Sequence, residues 1–177
     1  MNFAEKNYKN IFLAGHSLGA NKVIYFLSKN PDANIKKFLL LSPANLGYMM
    51  SGVTDSEKKI IKKFVDYGQG EKILPFAFMG WVVCTANTAN DWISGILDNT
   101  TKNFSQVEKI IHSGALVIGT YDNFTCGDPK NFWENINKHF RKPEKNELIF
   151  IEKTGHTYQQ KEQEIADIIL KYLQKNL

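Results

Sequence analysis

Near the start of the chain, Gly15-His16-Ser17-Leu18-Gly19 combines an alcohol with the small flanking residues that a sharp turn needs. An apolar run at 11–14 precedes it and an amphipathic stretch follows. The serine is therefore expected at a strand-to-helix turn, its hydroxyl pushed out beyond the strand's carboxyl end. A side chain at Gly15 or Gly19 is expected to collide with neighbouring backbone there. The helix start leaves N–H groups without intrahelical partners, at the positive end of the helix dipole. The Leu18 N–H is then a candidate donor to a developing oxyanion. The chemistry this implies is nucleophilic attack on a carbonyl carbon. The bland alternative is a glycine-flanked turn without catalysis.

A serine hydroxyl is a poor nucleophile without a base. The chain has four histidines. His16 adjoins Ser17, and its side chain is expected to point away from where a base must sit. His112 precedes a strand, at the wrong end of the sheet. His139 falls in a charged helix. His156 follows the last apolar run across Glu152-Lys153-Thr154-Gly155, which puts it in a loop at the carboxyl end of the sheet, where open α/β folds place their sites. His156 is the candidate base. The base needs an acid to set its tautomer. Asp122, in Gly119-Thr120-Tyr121-Asp122, lies just past a strand end and is the candidate. Asp128 is the rival, but Asp128-Pro129 also reads as a helix start, with Asp as N-cap and Pro at the first helical position.

The elements that must hold these residues alternate. Apolar runs at 11–14, 38–41, 115–118 and 148–151 read as strands. Their continuity suits strands covered on both faces of a parallel sheet. The spacing predicts helices over 18–29, 132–140 and 162–173. The class is α/β, a parallel sheet of about four strands flanked by helices. Between Leu41 and Ala115 no clean strand is visible. The spacing there predicts an amphipathic helix over 55–67, followed by Phe76, Phe78, Trp81 and Trp92. Residues 45–111 read as a lid or cap inserted into a single domain spanning 1–177. The four aromatics either line an apolar acyl pocket or form the lid's own core.

Composition narrows the class further. The 177 residues carry 22 basic and 18 acidic side chains, for a net charge of +4, and are 43% hydrophobic. The lysines interleave with acids on helix faces, and no nucleic-acid signature accompanies them. No apolar run approaches the ~20 residues of a membrane span. Residues 1–9 are too polar for a signal peptide, which suggests a cytoplasmic protein. Cys84 and Cys126 lack metal or redox spacing and read as free thiols. No metal or organic cofactor is expected.

The strings Gly15–Gly19, Gly119–Asp122 and Thr154–His156, with Leu41-Ser42-Pro43-Ala44 after the second strand, resemble the α/β-hydrolase superfamily from about Lys9 to the C-terminus. The order Ser17, Asp122, His156 matches that superfamily. The resemblance implies a partial α/β-hydrolase fold with a helical lid, acting on a small carboxylic ester or thioester. It also implies a departure: in the family the nucleophile follows the fifth strand, whereas here it follows the first recognisable one. The earlier strands and the loop that supplies a second oxyanion donor are not expected in these residues. Two alternatives to the hydrolase reading remain. The chain is a non-catalytic fragment, or the open edge at Ile11 pairs with a second copy or with a missing N-terminal half.

Overall fold

The computed structural model describes residues 2–100 and 104–177. In chain order the elements are α1 (Asn2–Asn7), β1 (Phe12–His16), α2 (Leu18–Lys29), β2 (Lys37–Leu41), α3 (Leu46–Ser51), α4 (Asp55–Asp66), α5 (Ala86–Ile93), β3 (Gly114–Gly119), α6 (Pro129–Lys138), β4 (Glu147–Ile151) and α7 (Glu162–Lys175). The four strands form one sheet in the order β1-β2-β3-β4, and every pairing is parallel. In register, Gly15 faces Leu40, Leu41 faces Val117, and Gly119 faces Ile151. All four carboxyl ends therefore open on one rim of the sheet.

Strand side chains alternate between two faces. Phe38, Leu40, Leu116 and Ile118 point to the face covered by Val23, Ile24 and Leu27 of α2 and by Trp133 and Ile136 of α6. Leu39, Ala115, Val117 and Ile151 point to the other face, under Ile165, Ile168, Ile169 and Tyr172 of α7. Every residue of β3 is buried, as expected of a strand covered on both sides. The two edge strands differ from that expectation. Ala14 and His16 of β1 are exposed and β4 is mostly half-buried, because an edge strand has a neighbour on one side only. Among the described residues β1 pairs with β2 alone.

The helix expected over 132–140 begins earlier, at Pro129. The Asp128 side chain accepts from the Lys130 N–H at 2.8 Å and proline takes the first turn. Three helices were not evident from periodicity: α1, α3 and α5. α3 is capped by Asn45, whose side chain accepts from the Tyr48 N–H, and α5 by Thr85, which accepts from the Thr88 N–H. Those cap residues were the available signal, since both helices are too short for a clear period.

The excursion between β2 and β3 builds a small core of its own. Val53, Ile61, Leu74, Phe78, Ala86 and Ala89 are buried there, with Met50, Phe64 and Trp92 packed around them. Helix α4 starts with a reciprocal cap: the Thr54 hydroxyl accepts from the Glu57 N–H, and the Glu57 carboxylate accepts from the Thr54 N–H at 2.8 Å. The Thr54 hydroxyl also donates to the Glu57 carboxylate at 2.7 Å, and this bond, with the one from the Thr54 N–H, holds the Glu57 carboxyl below its ordinary pKa. The excursion is tied to the sheet layer by buried Asn21 of α2. Its side-chain oxygen accepts from the Ala44 N–H at 3.0 Å, and its amide donates to Ala44 O at 3.0 Å and to Asn99 Oδ1 at 3.2 Å. Asn99 returns a bond to Asn21 O at 2.9 Å.

Candidate active site

Ser17 sits between β1 and α2 with φ 55 and ψ −128, a conformation that costs a non-glycine residue free energy and persists only where surroundings enforce it. The enforcement is visible: the Ser17 N–H donates to Leu41 O at 2.9 Å, and its carbonyl accepts from the Ala20 N–H at 2.9 Å. A Cβ on Gly15 would lie 2.3 Å from Gly19 O and 2.7 Å from Ala20 N, so glycine is required at 15. Gly19 departs from the expectation. A Cβ there meets nothing within 4 Å, because what crowds Gly15 is the Gly19 carbonyl, while the Gly19 α-carbon faces open space.

The other two candidates come from the loops after β3 and β4. Asp122 ends the tight turn after β3, where its N–H donates to Gly119 O at 3.1 Å. It caps a 3₁₀ turn (Asn123–Thr125), with Oδ1 accepting from the Phe124 N–H at 2.9 Å. The His156 loop is stitched to this turn by the Tyr121 N–H donating to Thr154 O and the Thr120 N–H to Ile151 O, each at 2.9 Å. Tyr158 anchors it from below: its hydroxyl donates to Val117 O at 3.1 Å and accepts from the Ser42 hydroxyl at 2.8 Å. Burial pushes this phenol well above its ordinary pKa, so it stays a donor.

These loops bring the three side chains together. His156 Nδ1 lies 3.0 Å from Asp122 Oδ2, and His156 Nε2 lies 2.7 Å from Ser17 Oγ. The Asp122 side chain is fully buried and that of His156 is 10% exposed. A carboxylate can only accept, so the proton sits on Nδ1 and Nε2 presents its lone pair to the serine hydroxyl. Phe124 packs against the imidazole with ring centroids 4.3 Å apart.

The remaining sequence candidates lie elsewhere, with one exception. Asp128 caps α6 and does not reach His156. His112 Nε2 donates to Ala33 O at 2.9 Å, before β3 at the opposite end of the sheet. His139 stacks on Phe104 at 3.9 Å. His16 is the exception and corrects the expectation that it points away. Its ring is 5.0 Å from that of His156, and Nε2 donates to the His156 carbonyl at 2.8 Å. Adjacency to Ser17 hid this contact, because the partner belongs to a loop far along the chain.

A cavity of about 320 Å³ opens over Ser17, walled by Leu18, Leu46, Met49, Trp81, Trp92 and Phe124. Of Phe76, Phe78, Trp81 and Trp92, the two tryptophans reach this cavity, while Phe78 is 1% exposed within the excursion's core. No group of three or more metal-ligating side chains occurs among the described residues, and no described helix is long and apolar enough to cross a membrane.

No family model and no curated protein matches the sequence. Solved structures do. The monoacylglycerol lipase of Paleococcus ferrophilus superposes with a TM-score of 0.69 at 15% identity, over 99% of this chain and 72% of that one. Est1E from Butyrivibrio proteoclasticus gives 0.67 at 18% identity, over 99% of this chain and 65% of that one. An esterase from Exiguobacterium antarcticum gives 0.59 at 15% identity, over 98% and 70%. The chain thus spans about two thirds of the length of these structures. A likeness at such low identity is one of architecture, and the architecture it establishes over nearly every residue is a partial α/β-hydrolase fold.

Proposed function

We propose that the chain is a serine hydrolase that cleaves a small carboxylic ester or thioester through an acyl-enzyme. One observation carries the reading: in a buried, apolar-walled setting, Ser17 Oγ lies 2.7 Å from His156 Nε2 while Nδ1 lies 3.0 Å from Asp122. Ser17 Oγ attacks the carbonyl carbon and its proton passes to His156 Nε2. The Asp122 carboxylate stabilises the resulting imidazolium and holds its orientation. The Leu18 N–H, at the start of α2, is one donor to the oxyanion. As the tetrahedral adduct collapses, the C–O or C–S bond breaks and the leaving alkoxide or thiolate takes the proton from Nε2. Water, deprotonated by the same nitrogen, then attacks the acyl-serine; the acyl C–Oγ bond breaks, Ser17 Oγ takes the proton back from Nε2, and the acid is released. The superposable structures include a lipase and an esterase, which favours esters over peptides. The segment from α3 to α5 acts as the lid over this site, and no cofactor enters the scheme.

A fluorophosphonate probe tests the reading. Covalent labelling of the folded chain that disappears in Ser17→Ala is the expected result. A well-folded wild type that takes up no label overturns it.

A second reading has its own observation, the open edge of β1 beside the serine turn. In that reading the chain keeps the three side chains but turns over only when a further strand, from a second copy or another chain, pairs with β1. Sedimentation across a concentration series separates the two, because a strictly monomeric, labelling-competent chain rules out the need for a partner.

A further inference from the structure

Trp81 is out of place for a packing residue. It is 62% exposed, whereas Phe78, three positions earlier, is 1% exposed. The turn that carries it is closed by backbone hydrogen bonds. The Phe78 N–H donates to Val82 O at 2.8 Å, the Val82 N–H donates to Phe78 O at 2.9 Å, and Met79 and Gly80 between them have φ of 55 and 83. Phe78 roots the turn in the excursion's core, edge-on to Trp92 with centroids 6.3 Å apart. A large indole is thus presented to solvent on a fixed base, an arrangement with no folding benefit. Burial of its apolar surface remains available to a ligand.

The indole borders two adjoining spaces. The inner is the cavity of about 320 Å³ containing Ser17 and His156, with Leu46, Met49 and Trp92 in its walls. The outer, about 360 Å³, is bounded by Tyr48, Met79 and Asn123. Met49, Trp81 and Phe124 belong to both and form the partition. Chemistry decides which part of an ester enters which space. The leaving group must receive its proton from His156 Nε2, so it lies on the His156 side. His156 and Thr157 line the inner space itself, and Phe124, which packs on that imidazole, separates this end of it from the outer space with its phenol and amide, so the leaving group departs past Phe124. The acyl group therefore turns inward, toward Leu46, Met49 and Trp92, where the walls offer almost nothing polar.

We propose that Trp81 determines specificity by closing over an apolar acyl group in the inner space, so that the substrates are esters or thioesters of medium-length or single-ring acyl groups rather than acetyl esters. At about 30 Å³ per water-sized group, the inner space takes roughly ten such groups. The inference rests on the serine hydrolase reading for the orientation of the ester, but its test does not depend on turnover.

Binding is read by titration calorimetry in the Ser17→Ala background, with phenyl hexanoate and phenyl acetate as ligands. Hexanoate is expected to bind at least about tenfold more tightly than acetate, since each buried methylene favours association. Trp81→Ala should remove most of that difference, and Trp81→Phe should keep most of it. Because the indole is exposed, Trp81→Ala should leave the denaturation midpoint unchanged, which separates lost contact from lost fold. Equal affinity for the two esters, or a preference that survives Trp81→Ala, overturns the proposal. So does a Trp81 effect that follows the alcohol when hexanoate esters of different alcohols are compared. A chain that shows the Trp81-dependent preference but takes no fluorophosphonate label contradicts the hydrolase reading and leaves the acyl site standing.

Discussion

The sheet layer and the excursion that interrupts it are built on opposite terms. In the sheet, Leu116, Val117 and Ile118 are fully buried between α2 and α6 on one side and α7 on the other. In the excursion, helices bury one stripe each around Ile61, Leu74 and Phe78, while Ile73, Trp81 and Val83 stand 64%, 62% and 75% exposed. The sheet carries Ser17, Asp122 and His156 on loops pinned by backbone hydrogen bonds. The excursion supplies the apolar walls. The side chains that meet within hydrogen-bond distance sit on the layer with the larger core, and the exposed apolar side chains sit on the layer with the smaller one.

The largest effect that could break this division lies at Asp122. Asp122→Asn keeps the shape but stabilises the wrong imidazole tautomer, and a loss of about 10⁴ in fluorophosphonate labelling rate is expected. Near-normal labelling would mean that the acid is supplied from elsewhere.

Next come matched deletions in the two cores. Leu116→Ala and Ile61→Ala each remove a fully buried aliphatic group, at a cost of roughly 2–5 kcal/mol. Their reach should differ. Hydrogen exchange is expected to quicken across the whole chain for Leu116→Ala, but chiefly over residues 55–93 for Ile61→Ala. A uniform response to Ile61→Ala would show that both layers open as one unit.

The joint between the layers is Asn21. Asn21→Ala leaves the Ala44 N–H and Asn99 Oδ1 without the Asn21 side chain as buried partner, at a cost of about 1–3 kcal/mol by chemical denaturation. It should also lower the fluorophosphonate labelling rate, because Ala44 and Leu46 border the cavity. An unchanged midpoint would mean that water replaces the clamp without loss.

The smallest effect is at the start of α4. Thr54→Ala removes the cap and costs about 1 kcal/mol at neutral pH. Glu57 has a folded pKa below its ordinary value. The stability it contributes is present above the unfolded pKa and is lost as pH falls through the folded one. The penalty of Thr54→Ala should therefore shrink in acid, and a penalty independent of pH would remove Glu57 from the cap.

Much of the sheet layer was readable before folding, because a strand covered on both faces must be apolar at every position. The runs at 38–41 and 115–118 have no other economical explanation. The serine turn was readable because glycine at 15 and an apolar run before it are local requirements. The contact of His156 with Asp122 rather than Asp128 was half readable: Asp128-Pro129 explains itself as a helix start, and that left Asp122 as the candidate. The excursion resisted, since α3 and α5 are too short to show a period and declare themselves only by their caps.

The amino-acid order alone determined the class, the strands of the sheet and the residue types able to react, because each follows from contacts between near neighbours or from burial that composition already records. Tertiary structure alone decided that His16 grips the carbonyl of His156, that Gly19 is spatially free, and that Trp81 faces the cavity while Phe78 does not. Those facts depend on distances between segments remote in the chain, and no local pattern encodes such distances.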